Sequence, residues 1–264
     1  MKKILFKYPL LILLVLPCFL KAQETKSIFN AGLGIGYLGV RDKGMSPFLY
    51  SGKGYFSSFT YQTFTEEKIN SIDLNLGYGK IKHKKTEAGI LHNGIVEISY
   101  KHLRGIIKKE KYTVFLGGGL GFFSAYRYQP FFLNSAHNYD IIHWAGVVAL
   151  MNYEIPAHEK TFVLSGSLVI PAFSGVIRPA YASPLPDGLQ TFPAEVSDAY
   201  LKSIKFMSFN RFIRINSRFS VDYPVFKQHL LGLAYEWDFY SLKTENPVLF
   251  AGHKIMLSML IKLR

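Results

Sequence analysis

The segment from Phe206 to Leu242 constrains the fold of this chain more than any other. It is two long runs of alternating character around a turn at Asp222-Tyr223-Pro224-Val225. In the first run Met207, Phe209, Ile213, Ile215, Phe219, Val221 and Tyr223 share one phase, and Ser208, Asn210, Arg214, Asn216, Arg218 and Ser220 the other. In the second, Leu231, Leu233, Tyr235, Trp237 and Phe239 oppose Gly232, Ala234, Glu236, Asp238 and Tyr240. Successive side chains of a strand point to opposite faces of a sheet, so period-two alternation predicts two paired strands. About fifteen residues each is long for a soluble sheet, where five or six is usual. That length suits a tilted strand that crosses a bilayer and projects beyond it.

The same alternation recurs along the chain. Phe29, Leu33, Ile35 and Tyr37 oppose Asn30, Gly32, Gly34 and Gly36, and Ile72, Leu74, Leu76 and Tyr78 oppose Asp73, Asn75 and Gly77. Tyr112, Val114, Leu116, Leu120, Phe122 and Tyr126 oppose Gly117, Gly119 and Gly121. Segments 52–65 and 141–155 alternate poorly, the second being apolar on both faces. Ten strands are expected, over 27–40, 52–65, 68–82, 91–107, 111–128, 141–155, 160–173, 206–222, 227–242 and 249–263. Their connections alternate long and short from the N-terminus, with the longest at 174–205. An even strand count with short turns at one end and long loops at the other predicts an all-β, antiparallel transmembrane barrel with short periplasmic turns and long extracellular loops. The glycine stripes assign the sides: three alternate glycines leave backbone bare and suit a crowded lumen, so the apolar faces turn to lipid.

Residues 1–22 have the layout of a signal peptide, with Lys2, Lys3 and Lys7 before an apolar core from Leu10 to Leu16 and Ala22 at the expected cut. The barrel domain is then 23–264. Cleavage removes the only cysteine, so the mature chain holds no internal disulfide and no thiol chemistry. It takes four lysines with it and lowers the formal charge from +13 to +9. That excess favours anionic partners, envelope lipid before nucleic acid in an exported protein.

The leader, the loop asymmetry and the alternating strands resemble the small outer-membrane β-barrel proteins of Gram-negative bacteria. The resemblance covers the mature chain and rests on pattern. It implies a place in the cell outer membrane, lipopolysaccharide and other outer-membrane lipid as neighbours, and possible docking on a larger envelope protein. Many such barrels end in an aromatic residue, whereas this sequence ends Lys262-Leu263-Arg264.

Three groups of residues are candidates for function. Arg214, Arg218, Glu236, Asp238 and Lys254 share inward phases on neighbouring strands, where a closed lumen needs both signs. A turn centred on Val225 sets Arg214 opposite Glu236, and a loop centred on Glu245 sets Glu236 opposite Lys254. Asp73, Glu97 and Lys101 are inward elsewhere and could join them. Lys80, Lys82, Lys84 and Lys85, with Arg211 on the lipid-facing phase, form a surface group suited to lipid phosphates. His137, Asp140 and His143 gather at one rim and are the candidates for hydrolysis of envelope lipid or peptide. No spacing there matches a catalytic motif, and His137 and His143 lack a convergent third metal ligand. No cofactor or metal is expected. The loop 174–205, rich in proline and aromatic residues, is expected to form a lid or contact surface. Ten strands leave little room beyond their side chains. The expected role is therefore recognition, narrow selective passage or an accessory subunit, with a rim hydrolase as the alternative.

Overall fold

A computed structural model describes residues 26–84, 89–157, 160–179, 200–226 and 229–263. The signal segment 1–22, Lys85 and loop residues 180–199 lie outside the described residues. Ten long strands form the wall: β1 (Lys26–Asp42), β2 (Leu49–Phe64), β3 (Lys68–His83), β4 (Leu91–Lys108), β5 (Tyr112–Tyr128), β6 (His137–Ala157), β7 (Lys160–Ile177), β9 (Phe212–Phe226), β10 (His229–Leu242) and β11 (Val248–Leu263). A three-residue strand, β8 (Lys205–Met207), lies against the outer end of β7. Every strand pairs antiparallel with its neighbours, β7 meets β9, and β1 meets β11, which closes the sheet into a barrel. The strand ends that flank 65–67, 109–111, 158–159 and 227–228 lie at the end that also carries Lys26 and Leu263, and those that flank the longer connections lie at the other end.

The sides follow the alternation. Leu33, Ile35, Leu116, Leu120, Phe219, Leu233, Ile255 and Leu257 are exposed on the outer wall, while Arg214, Glu236 and the glycine phase face the axis. An outer wall of leucine, isoleucine and phenylalanine is a lipid-facing surface, and closure leaves no strand edge unpaired in hydrocarbon. The architecture is that of the small outer-membrane β-barrels. An arginine in this wall meets acyl chains, so Leu257→Arg in mid-wall on β11 should lower the unfolding free energy in vesicles by about 2–4 kcal/mol. Urea titration in lipid checks this, and an unchanged midpoint would contradict the lipid-facing assignment.

Two strands alternate poorly because the outer half of the lumen is itself apolar. On β2 the inward residues include Tyr50 and Phe56, and on β6 Ile142, Trp144 and Val148, all buried. Both faces of such a strand are greasy, one against lipid and one against the plug. The glycine stripe of β5 makes room for that plug: a Cβ at Gly121 would meet the Trp144 indole at 2.7 Å. At Gly36 the added carbon would run into the His253 carbonyl oxygen of β11, so close strand approach requires glycine there too.

The structure corrects the sequence reading at both ends of the 206–222 segment. Residues 206–211 do not continue the strand. Ser208 to Arg211 form a turn in which the Arg211 and Phe212 amides donate to the Ser208 carbonyl, and both Met207 and Phe212 are buried. An odd and an even residue cannot share a face of one strand, and the turn resolves that conflict. Arg211 is thus an exposed turn residue rather than part of the lipid-facing strand. At the other end β9 runs on through Pro224 to Phe226, and the connection is 227–228. Proline is tolerated there because a register shift between His229 and Leu230 relaxes the pairing opposite it.

Candidate functional site

The shift of the β9–β10 turn changes the cross-strand partners from Leu230 to Leu242 by an even step. Side chains keep their faces but not their neighbours. Glu236 stands opposite Arg218 on β9 and Lys254 on β11, while Arg214 stands opposite Tyr240, so the expected Arg214–Glu236 facing pair is replaced. Arg218 Nη1 donates to Glu236 Oε1 at 2.7 Å, and Lys254 Nζ approaches Glu236 Oε2 at 2.6 Å. Arg214 instead forks across the lumen. It donates to both oxygens of Glu97 on β4 at 2.8 and 2.9 Å, and to both oxygens of Asp238 on β10 at 3.1 and 2.9 Å. Lys101 Nζ pairs with Asp73 at 3.1 Å, and the Thr60 hydroxyl donates to the same carboxylate at 2.8 Å. Four cations and four carboxylates are joined in this belt, which is electrically balanced.

A second cluster closes the outer mouth, and the sequence reading did not find it. Arg127 at the end of β5 donates to Asp42 Oδ2 at 2.9 Å and to Asp140 Oδ2 at 2.7 Å. Arg178, just beyond β7, bonds the remaining oxygens of the same two carboxylates, so two guanidiniums and two carboxylates form a closed square. The Tyr240 hydroxyl donates to Asp140 at 2.8 Å, and the Asn138 side-chain amide donates to Asp42 at 3.2 Å. Arg127 and Asp140 have no exposed side-chain surface. Burial works against the Arg178 charge, but Asp140 and Asp42 more than offset it, and its pKa is raised. The guanidinium therefore stays ionised at any ordinary pH.

An aromatic layer joins the two charge clusters. The Arg214 guanidinium lies 4.3 Å from the centroid of the Phe123 ring, Phe123 is edge-on to Tyr240, and Tyr240 stacks on Phe250. Tyr240 belongs to both worlds, its ring in the apolar layer and its hydroxyl in the outer square. Below the layer is a polar cavity of about 30 Å³ lined in part by Asn75, Ser99, Trp144 and Asn216, room for one or two waters.

The rim trio does not come together. Asp140 faces the lumen and is consumed by the arginine square, whereas His137 and His143 face outward. His137 Nδ1 is in hydrogen-bond contact with the Tyr126 hydroxyl, and His143 Nε2 lies 2.7 Å from the Tyr200 hydroxyl. No group of three or more His, Cys, Asp or Glu side chains among the described residues is placed to hold a metal ion. The basic group is dispersed differently: Lys80 and Lys82 stand on the outer wall of β3, Lys84 follows the strand, and Arg211 lies in the turn before β9.

No protein-family model and no curated protein matches the chain. Several solved structures resemble its course. The outer-membrane protease OmpT of Escherichia coli is 8% identical, with 92% of this chain and 99% of that chain covered at a TM-score of 0.47. An outer-membrane channel of Pseudomonas putida F1 is 10% identical, with coverage of 92% and 97% and a TM-score of 0.41. Neisserial surface protein A is 10% identical, with coverage of 89% and 97% and a TM-score of 0.34.

Proposed function

We propose that this chain is exported to the outer membrane by its leader and acts there as a closed barrel. Its outer loops and outer wall meet ligands, lipid or a partner protein, and its lumen carries no solute. The observation that supports this reading is the filled axis. Arg127, Tyr240, Phe123, Phe250 and Arg214 are each 2% exposed or less, and they form a continuous chain of contacts, Arg127 with Tyr240, Tyr240 with Phe250 and Phe123, and Phe123 with Arg214. A path for solute would have to break the arginine square and part the aromatic layer together. A ten-stranded wall has little spare cross-section for that.

The outer surface is where variation costs the fold least, since loops on a rigid barrel can change without disturbing it. Recognition, alone or as an accessory subunit of an envelope complex, is thus favoured over passage. A hydrolytic rim has less support, because its one carboxylate is turned away from both histidines. Reconstitution in planar bilayers is the test. No steady single-channel steps above the bare membrane are expected, and a stable open conductance in the unmodified protein would overturn the proposal.

A further inference from the structure

We propose that the outer ends of β1, β2 and β3 carry, on the lipid-facing wall, a binding site for the phosphate headgroup of an outer-leaflet lipid, centred on Lys53 and Lys80. The inference rests on the membrane orientation above and names the lipid chemistry that the wall recognises. The register of Gly54 with Gly79 and of Ser51 with Lys82 sets Lys53 opposite Lys80. Both are exposed, on the same outward face as Tyr55 and Tyr78. Like charges directly opposite on an antiparallel pair repel at a Cβ separation of about 5 Å. Lys82 and Arg41, also exposed and outward, extend the patch toward the loops.

What sets these cations apart is that two of them face each other directly across a strand pair with no anion between them. Among the described residues, Arg41, Lys53, Lys80 and Lys82 have no ion pair, whereas all eight charges of the inner belt are paired. Among the described residues, a carboxylate meets each buried cation of the belt and of the outer square, and none is paired with these lysines. An external anion seated between Lys53 and Lys80 would relieve their repulsion.

Position decides its source. On β2 the outward residues run Tyr61, Phe59, Ser57, Tyr55 and then Lys53, and on β3 Ile72, Leu74, Leu76, Tyr78 and then Lys80. Eight residues of strand at a tilt of about 45° rise roughly 19 Å, which carries Lys53 from one edge of the apolar band nearly to the other. A free anion could use the lysines alone. A lipid phosphate also lays its acyl chains against Tyr55, Ile35 and Tyr78 below them.

The flanks suit a headgroup. Tyr37 adjoins Lys53, and His92 adjoins Lys80. The Tyr78 hydroxyl holds His92 Nδ1 at 2.6 Å, which fixes the ring on the outer wall beside Lys80.

The test uses the full barrel folded in zwitterionic detergent and three probes: a phosphomonoester-bearing glycolipid, the same lipid after dephosphorylation, and inorganic phosphate. The phosphorylated lipid should bind, with a loss of about fivefold for Lys53→Gln or Lys80→Gln and about thirtyfold for both. Equal affinity of the double variant, or equal binding of the dephosphorylated lipid, would overturn the site. Competition by inorganic phosphate at comparable concentration would overturn the commitment to lipid. A second readout separates a binding site from a structural role. Without lipid, Lys53→Gln should unfold at higher urea than the parent because repulsion is relieved, and saturating phosphorylated lipid should abolish that advantage. A variant less stable than the parent without lipid would count against the proposal. Conductance plays no part in either readout, so a leaky lumen and a missing lipid site give separable results.

Discussion

Replacing Asp140 by alanine is expected to lower the unfolding free energy of the barrel by about 3–5 kcal/mol, because it removes one partner of a buried ion pair and leaves the other uncompensated. The carboxylate is fully buried and accepts from Arg127, Arg178 and Tyr240. Its loss leaves Asp42 as the sole counter-charge to two guanidiniums, of which Arg127 has no exposed surface. Neither arginine can shed its proton, so the cost cannot be escaped by titration. Asp140→Asn should fall between the parent and alanine, since the amide keeps an acceptor but not the charge. Urea titration in vesicles, followed by the fluorescence of Trp144 and Trp237, measures the loss. A change within about 0.5 kcal/mol, the range of ordinary surface substitutions, would mean that water already solvates the square.

That square also shows where sequence reasoning stops. Its members come from the end of β1, the end of β5, the start of β6 and the segment after β7. No periodicity links four chain segments. Arg127 shares the inward phase of Phe123 and Ala125, which is the only mark it carries in the sequence. Phase was legible almost everywhere, because lipid on one side and a crowded axis on the other enforce it on β1, β3, β5, β9 and β10. It faded on β2 and β6, where Tyr50, Phe56, Ile142 and Trp144 make the inner face as apolar as the outer.

Partners were less legible than faces. A hairpin turn displaced from Val225 to 227–228 moves the register by an even number of residues, so Arg214 stays inside but loses Glu236 and faces Tyr240. The pairing of Glu236 with Lys254 depends on the other hairpin, whose loop lies where the sequence set it. Lys53 went unnoticed for a related reason. It stands between two glycines on a strand without clear alternation, and only the β2–β3 register brings it against Lys80. The leader and residues 180–199 lie outside the described part of the chain.

Arg214 should behave as the keystone of the inner belt, and its removal should be strongly non-additive. Arg214→Met leaves Glu97 and Asp238 facing each other across the lumen with no cation between them, and is expected to cost about 3–5 kcal/mol. In a background carrying Glu97→Gln and Asp238→Asn, the same substitution removes hydrogen bonds but strands no charge. There it should cost about 1 kcal/mol, the net worth of neutral hydrogen bonds. The difference between the two backgrounds is the coupling energy of the fork. Costs that agree within about 0.5 kcal/mol would show that the three groups act independently and that the bidentate geometry contributes nothing. Arg214→Lys should rescue little, because a single ammonium cannot bond two carboxylates at both oxygens as the planar guanidinium does. The same variants bear on the closed lumen. Phe123, Tyr240 and Phe250 still pack together beside the vacated position, so Arg214→Met should be less stable and yet remain without steady conductance in planar bilayers. Conductance in that variant would move the seal of the barrel from the aromatic layer to the arginine itself.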